Sequence, residues 1–103
     1  MKKQTAGRDN LGDLAPQFAA LNDDVLFGEV WARESQLSAH DRSMITVASL
    51  MSQGLPQLEA HLKIAKENGV TQEELVEMFT HLAFYAGWPK AWTAFNLLKE
   101  TYK

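Results

Sequence analysis

The sequence predicts an all-α protein, a bundle of five to six antiparallel helices. Apolar residues recur at helical spacings of three and four beyond Ser38, and capping residues, Gly and Pro punctuate those stretches at helix-length intervals. No stretch of useful length alternates apolar and polar residues as a half-buried strand does. A length of 103 residues with 46% hydrophobic and 22% charged side chains suits one compact domain.

Residues Met1 to Asn10 are polar and without periodicity, which predicts a flexible leader or an arm on a partner subunit, ahead of a folded domain over residues 11–103. From Leu11 to Arg33 the apolar residues Leu14, Phe18, Leu21, Val25, Phe27, Val30 and Trp31 fall at mixed spacing. Asp23 or Asp24 is placed to cap a helix through Phe27 to Trp31, after a shorter helix starting near Pro16. Ser38 with Asp41 resembles a capping box, ahead of a stripe of Met44, Ile45, Val47, Ala48 and Met51 that Gly54 can end. Pro56 suits the first turn of a fourth helix that closes at Gly69. Thr71 and Glu74 form a cleaner capping box, and Leu75, Met78, Phe79, Leu82 and Ala86 behind it share one helix face. Gly87 and Pro89 break that pattern, and Trp88, Ala91, Trp92, Phe95, Leu98 and Tyr102 define a last helix. The strongest helices are expected near Ser38 to Gln53, Thr71 to Ala86 and Pro89 to Thr101.

Composition excludes several functions. Cysteine is absent, which removes disulfides, Cys-zinc sites and thiol chemistry together. A net charge of −3 is far from the basic footprint of a nucleic-acid binder. No apolar run approaches a membrane span, and no apolar stretch follows the first lysines as a signal peptide requires, so a cytoplasmic location without membrane or nucleic-acid partners is expected. A short chain without disulfides, carrying more apolar and aromatic surface than one small core hides, predicts a homo-oligomer.

Chemistry must then come from His, carboxylates, Arg and Tyr. At 100° per residue His61 falls among Leu58, Leu62 and Ala65, so its imidazole points to the packed side of its helix. Two readings stand: a core histidine bonded to a carbonyl, or a general acid or base, since imidazole titrates near neutrality. Glu59 diverges from His61 by roughly 160° and pairs better with Lys63. Glu74, Glu77, His81 and Tyr85 form a polar strip, either solvent-facing or an acid site in which Glu77 raises the His81 pKa. His40, in the first turn of its helix, reads as surface decoration. His61 and His81 lack metal-ligand spacing, so no metal is expected.

The runs FGEVWARESQLSAHDRSMITVASLMSQG (Phe27 to Gly54) and LEAHLKIAKENGVTQEELVEMFTHLAFYAGWPKAWTAF (Leu58 to Phe95) resemble the carboxymuconolactone decarboxylase family, which shares its fold with alkylhydroperoxidase D-like proteins. FGxxW, LSxxDRS, HLxxAxxNGxTxEE and YAGWPxA are specific in this order, although each alone is weak. The resemblance implies an all-helical subunit assembling into a ring, commonly a hexamer or a trimer of dimers, with the pocket near subunit contacts. The peroxidase branch uses a CxxC followed by a His; this chain has no Cys, so thiol peroxidase activity is excluded by its missing nucleophile. Of the residues recurrent in the decarboxylase branch, His61, Arg42, Glu29, Trp31, Tyr85 and the Gly87 to Pro89 turn are present. His81 stands where relatives often carry Gln.

The implied reaction is cofactor-independent loss of CO2 from a small unsaturated lactone carboxylate of aromatic-acid catabolism. The resemblance implies His61 as proton donor, Glu29 orienting it, His81 or Tyr85 bonding the developing oxyanion, Arg42 holding a substrate carboxylate, and Trp31 or Trp88 as an apolar wall. The competing class is a non-catalytic ring-forming protein that binds a ligand or partner with the same residues.

Overall fold

The computed structural model describes residues 3–103, whose regular secondary structure is all helical, with no strand among them. Six α-helices and one π-helical segment follow one another: α1 (Ala6–Leu11), α2 (Pro16–Ala20), the π-helical segment (Leu21–Val30), α3 (Ala39–Gln53), α4 (Leu58–Glu67), α5 (Gln72–Ala86) and α6 (Trp88–Thr101). The chain forms two compact units that meet at Ala39 and His40.

In the first unit Pro16 opens α2 as expected, but α2 runs without a break into the π-helical segment. The Trp31 N–H reaches back five residues to the Leu26 carbonyl at 2.9 Å, the bond that defines the wider turn. A turn wider than 3.6 residues accounts for the mixed apolar spacing. Asp23 does not cap this helix. Its buried carboxylate accepts the N–H of Gly7 at 2.9 Å and of Arg8 at 3.0 Å, so it caps α1 from 15 and 16 residues away. Arg8 adds a two-point contact with Asp24, at 2.9 and 2.6 Å. Part of the stretch read as a leader is therefore helical and tied down; Met1 and Lys2 lie outside the described residues.

In the second unit each start and stop signal has a visible cause. α3 begins directly after Ser38. Gly54, at φ +68°, closes it: the Gly54 N–H bonds the Met51 carbonyl and the Leu55 N–H bonds that of Leu50, which satisfies carbonyls a helix end leaves open. Gly69, at φ +84°, closes α4 in the same way, with Val70 bonded to Ala65 at 2.9 Å. Pro56 lies in the turn before α4 and not within its first turn. Thr71 and Glu74 form the full capping box of α5, and Gly87 alone separates α5 from α6.

The core is built from single faces of these helices. Val47 and Met51 of α3, Leu62 and Ala65 of α4, Leu75 and Phe79 of α5 and Ala94 and Leu98 of α6 are all buried. Phe79 meets Phe95 edge to face, with ring centroids 5.5 Å apart. Tyr102 closes the end of the unit by donating its hydroxyl to the Val70 carbonyl at 2.7 Å.

Candidate active site

His61 lies in α4 among the buried Leu58, Leu62 and Ala65, on the face that its periodicity indicates. Its ring is half-buried, and Nδ1 is withdrawn from solvent. Burial holds its pKa below the ordinary 6.5, because a low-dielectric environment disfavours imidazolium. Glu59 and Lys63 face each other at 3.8 Å on the exposed side of α4, as the i,i+4 argument requires.

Glu77, His81 and Tyr85 of the polar strip on α5 are solvent-exposed. His81 and Tyr85 lie with ring centroids 5.0 Å apart, and Glu77 and His81 form no hydrogen bond. Arg42 is half-buried in the first turn of α3. In the first unit Glu29 is exposed on the π-helical segment, while Trp31 is buried and stacks on Phe27 at 5.7 Å.

Trp88 opens α6 on an exposed aromatic surface. Phe84 is 78% exposed, Tyr85 78%, Trp88 59% and Trp92 64%. Phe84 and Trp88 meet edge to face at 6.1 Å, so this aromatic surface crosses the junction of α5 and α6.

His40 is not surface decoration. Its Nε2 lies 2.9 Å from the Glu74 carboxylate and its Nδ1 2.9 Å from Asp41. The hydrogen bond to Glu74, then that to Asp41, raises its pKa. Glu74 is held below the usual carboxylate range by the Thr71 N–H and then by His40. A partner 34 residues away outweighs the unfavourable helix-end position, and no local spacing signals it.

A second feature also escaped the sequence reading. A cavity of about 470 Å³ opens between the α3–α4 turn and the first three turns of α6, with Lys90 the one charged residue among the described residues that line it. Its signal in the sequence is a lysine in the first turn of a helix, where the dipole disfavours a cation. The described residues include no cluster of His, Asp and Glu suited to a metal ion.

The sequence pattern of the carboxymuconolactone decarboxylase family matches residues 16–100. This chain belongs to that family. Among curated proteins it is similar to a 4-carboxymuconolactone decarboxylase of Acinetobacter baylyi (strain ATCC 33305 / BD413 / ADP1), with 36% identity over 96 residues that span 92% of this chain and 71% of the relative. The match runs through every helix of the second unit. No described helix is long and apolar enough to cross a membrane.

Proposed function

We propose that this family member is a carboxy-lyase acting on a small unsaturated lactone carboxylate such as 4-carboxymuconolactone. The observation that carries the reading is His61, a titratable group placed on the apolar face of α4 in a chain 36% identical to a protein named for that reaction. The carbon–carbon bond to the departing carboxylate breaks, and its electron pair passes through the ring double bond to the lactone carbonyl as CO2 leaves. The resulting dienolate takes a proton at carbon to give an enol-lactone. His61 supplies that proton, and solvent restores it.

Burial disfavours imidazolium in the absence of substrate, and the negative charge of a bound carboxylate offsets that effect. Arg42 is the proposed contact for a substrate carboxylate. His81 or Tyr85 supplies a hydrogen bond to the oxyanion, Glu29 of another subunit orients His61, and Trp88, or Trp31 of another subunit, excludes water. His81, Tyr85 and Glu29 are exposed in the single chain, so these roles require that assembly encloses them.

The exposed Phe84, Tyr85, Trp88 and Trp92 support a homo-oligomer in which a second copy covers this face. A ring, hexameric or trimeric, is the arrangement proposed, in the cytoplasm and without a cofactor. The test is CO2 release from 4-carboxymuconolactone by the purified protein. Release above the uncatalysed rate that falls in His61→Gln supports the reading, and its absence from a correctly assembled protein overturns it.

A further inference from the structure

We infer that the groove between the α3–α4 turn and α6 is the subsite for the carboxylate that the substrate keeps, with Lys90 and Thr93 as its anchor. This rests on the proposed decarboxylation: a carboxymuconolactone carries one carboxylate that leaves and a second that stays.

Four observations converge. First, the groove encloses about 470 Å³, within the roughly 300–1,000 Å³ of small-ligand sites, and its walls are largely apolar, formed by residues such as Leu55, Pro56, Leu58 and Pro89. A lactone ring suits those walls. Second, Lys90 is the only charged residue among the described residues that line the groove, and no described carboxylate lies within ion-pair distance of it. Its stem crosses the α3 end, with Cε 3.6 Å and Cγ 3.7 Å from the point where a Gly54 side chain would begin.

Third, Lys90 is poorly explained as a helix-end charge. It stands in the first turn of α6, where a cation is disfavoured. The α3 end beside it already has its Leu50 and Met51 carbonyls bonded by Leu55 and Gly54. Fourth, Thr93 lies three residues on from Lys90, hence on the same face of α6. Thr46, Thr80 and Thr101 each donate their hydroxyl to the carbonyl four residues back. Thr5 bonds Asp9, and Thr71 caps α5. Thr93 alone among the threonines makes no such bond, which leaves an O–H donor beside an ammonium on a wall of the groove.

An ammonium and a hydroxyl on one helix face, over apolar walls without a carboxylate, fit a small organic acid. Leu58 of the groove wall and His61 are i,i+3 neighbours on α4, with Cβ atoms about 5–6 Å apart. In this proposal a bicarboxylate anchored at Lys90 extends past Leu58 toward His61, which does not itself line the groove. Because the retained carboxylate is held alike before and during CO2 loss, Lys90 contributes to KM more than to kcat.

The test compares wild type with Lys90→Met, Lys90→Arg and Thr93→Val in two assays. In CO2 release, Lys90→Met should raise KM about tenfold or more with a much smaller change in kcat, Thr93→Val should raise it less, and Lys90→Arg should recover most of the loss. In the second assay paraconate, a saturated lactone carboxylate that cannot lose CO2 through a ring double bond, is titrated into the labelled protein. The amides of Gly54 and Thr93 should shift saturably in wild type and not in Lys90→Met. Paraconate binding that needs Lys90 in a protein that releases no CO2 would sink the decarboxylase reading and keep the subsite. Paraconate shifts that persist unchanged in Lys90→Met overturn the subsite whether or not the protein decarboxylates, as does an unchanged KM where it does. A lower melting temperature with both readouts unchanged overturns it likewise and makes Lys90 a structural charge.

Discussion

The imidazole of His40, in the first turn of α3, lies 2.9 Å from the carboxylate of Glu74, the residue that completes the capping box of α5. One carboxylate thus accepts from the Thr71 backbone and from a histidine of another helix, and ties together two helix starts separated by 34 residues. Asp41, on the next residue, faces the other ring nitrogen.

This pairing predicts a stability that depends on pH in a definite sense. The His40 pKa is raised in the folded chain, so its contribution is fully present below the ordinary value of 6.5 and is lost as pH rises through the folded value. His40→Gln should therefore lower the melting temperature more at pH 6 than at pH 9. Glu74→Gln should destabilise at both, since it also weakens the α5 cap. Thermal unfolding followed by circular dichroism at the two pH values checks this, and an equal loss for His40→Gln at both would remove the charged pair.

The amino-terminal unit offers a steric test. A Cβ at Gly7 would lie 2.7 Å from the Ala19 carbonyl oxygen and 2.7 Å from Oδ1 of Asp23. One contact is to backbone, which cannot rotate away, and the other is to the carboxylate that caps α1. Gly7→Ala should cost about 1–3 kcal/mol by overpacking, despite the better helix propensity of alanine. Hydrogen exchange should show the Gly7 and Arg8 region losing protection first.

Phe79 is fully buried in the core of the second unit and meets Phe95 edge to face. Phe79→Ala should cost about 3–5 kcal/mol, and Phe79→Leu distinctly less because most of the volume is kept. Urea unfolding of the two variants measures the difference.

Sequence signals confined to one turn of chain were readable in advance. Thr71 with Glu74, and the glycines at 54 and 69, act where local geometry demands them. What could not be read is non-local: the capping of Gly7 and Arg8 by Asp23, and the binding of His40 by Glu74, depend on residues brought together only by folding. The π-helical segment does not show as a 3.6-residue period because its turns are wider. At the candidate site the buried face of His61 was legible from spacing. The exposed side of Trp88 and Trp92 was not, since an aromatic stripe looks the same whether it meets the core or a second subunit. Lys90 carries one local signal, a cation in the first turn of a helix, but the groove it lines is completed by residues of the α3–α4 turn that only folding brings beside it.

The last prediction concerns His61, whose pKa burial holds below 6.5. Between the folded value and 6.5 the unfolded chain binds more protons than the folded one, so His61 makes stability fall as pH drops through that window. His61→Gln removes this titration, and relative to wild type it should fare better at pH 5 than at pH 8. That slope is opposite to the one expected from His40. If His61 gives the proton after CO2 leaves, His61→Gln should also lower turnover by roughly two to four orders of magnitude while the oligomer persists in light scattering. The wild-type kcat/KM should then rise as pH falls toward the depressed His61 pKa, because the acid form is the competent one, and this limb should vanish in the variant. His81→Gln is the control: it places at an exposed position the residue expected in decarboxylase-like relatives, and it should leave both the fold and the pH limb in place. A His61→Gln protein with full turnover would end the catalytic assignment, whatever its stability, whereas lost assembly with normal turnover per surviving oligomer would make His61 a core histidine.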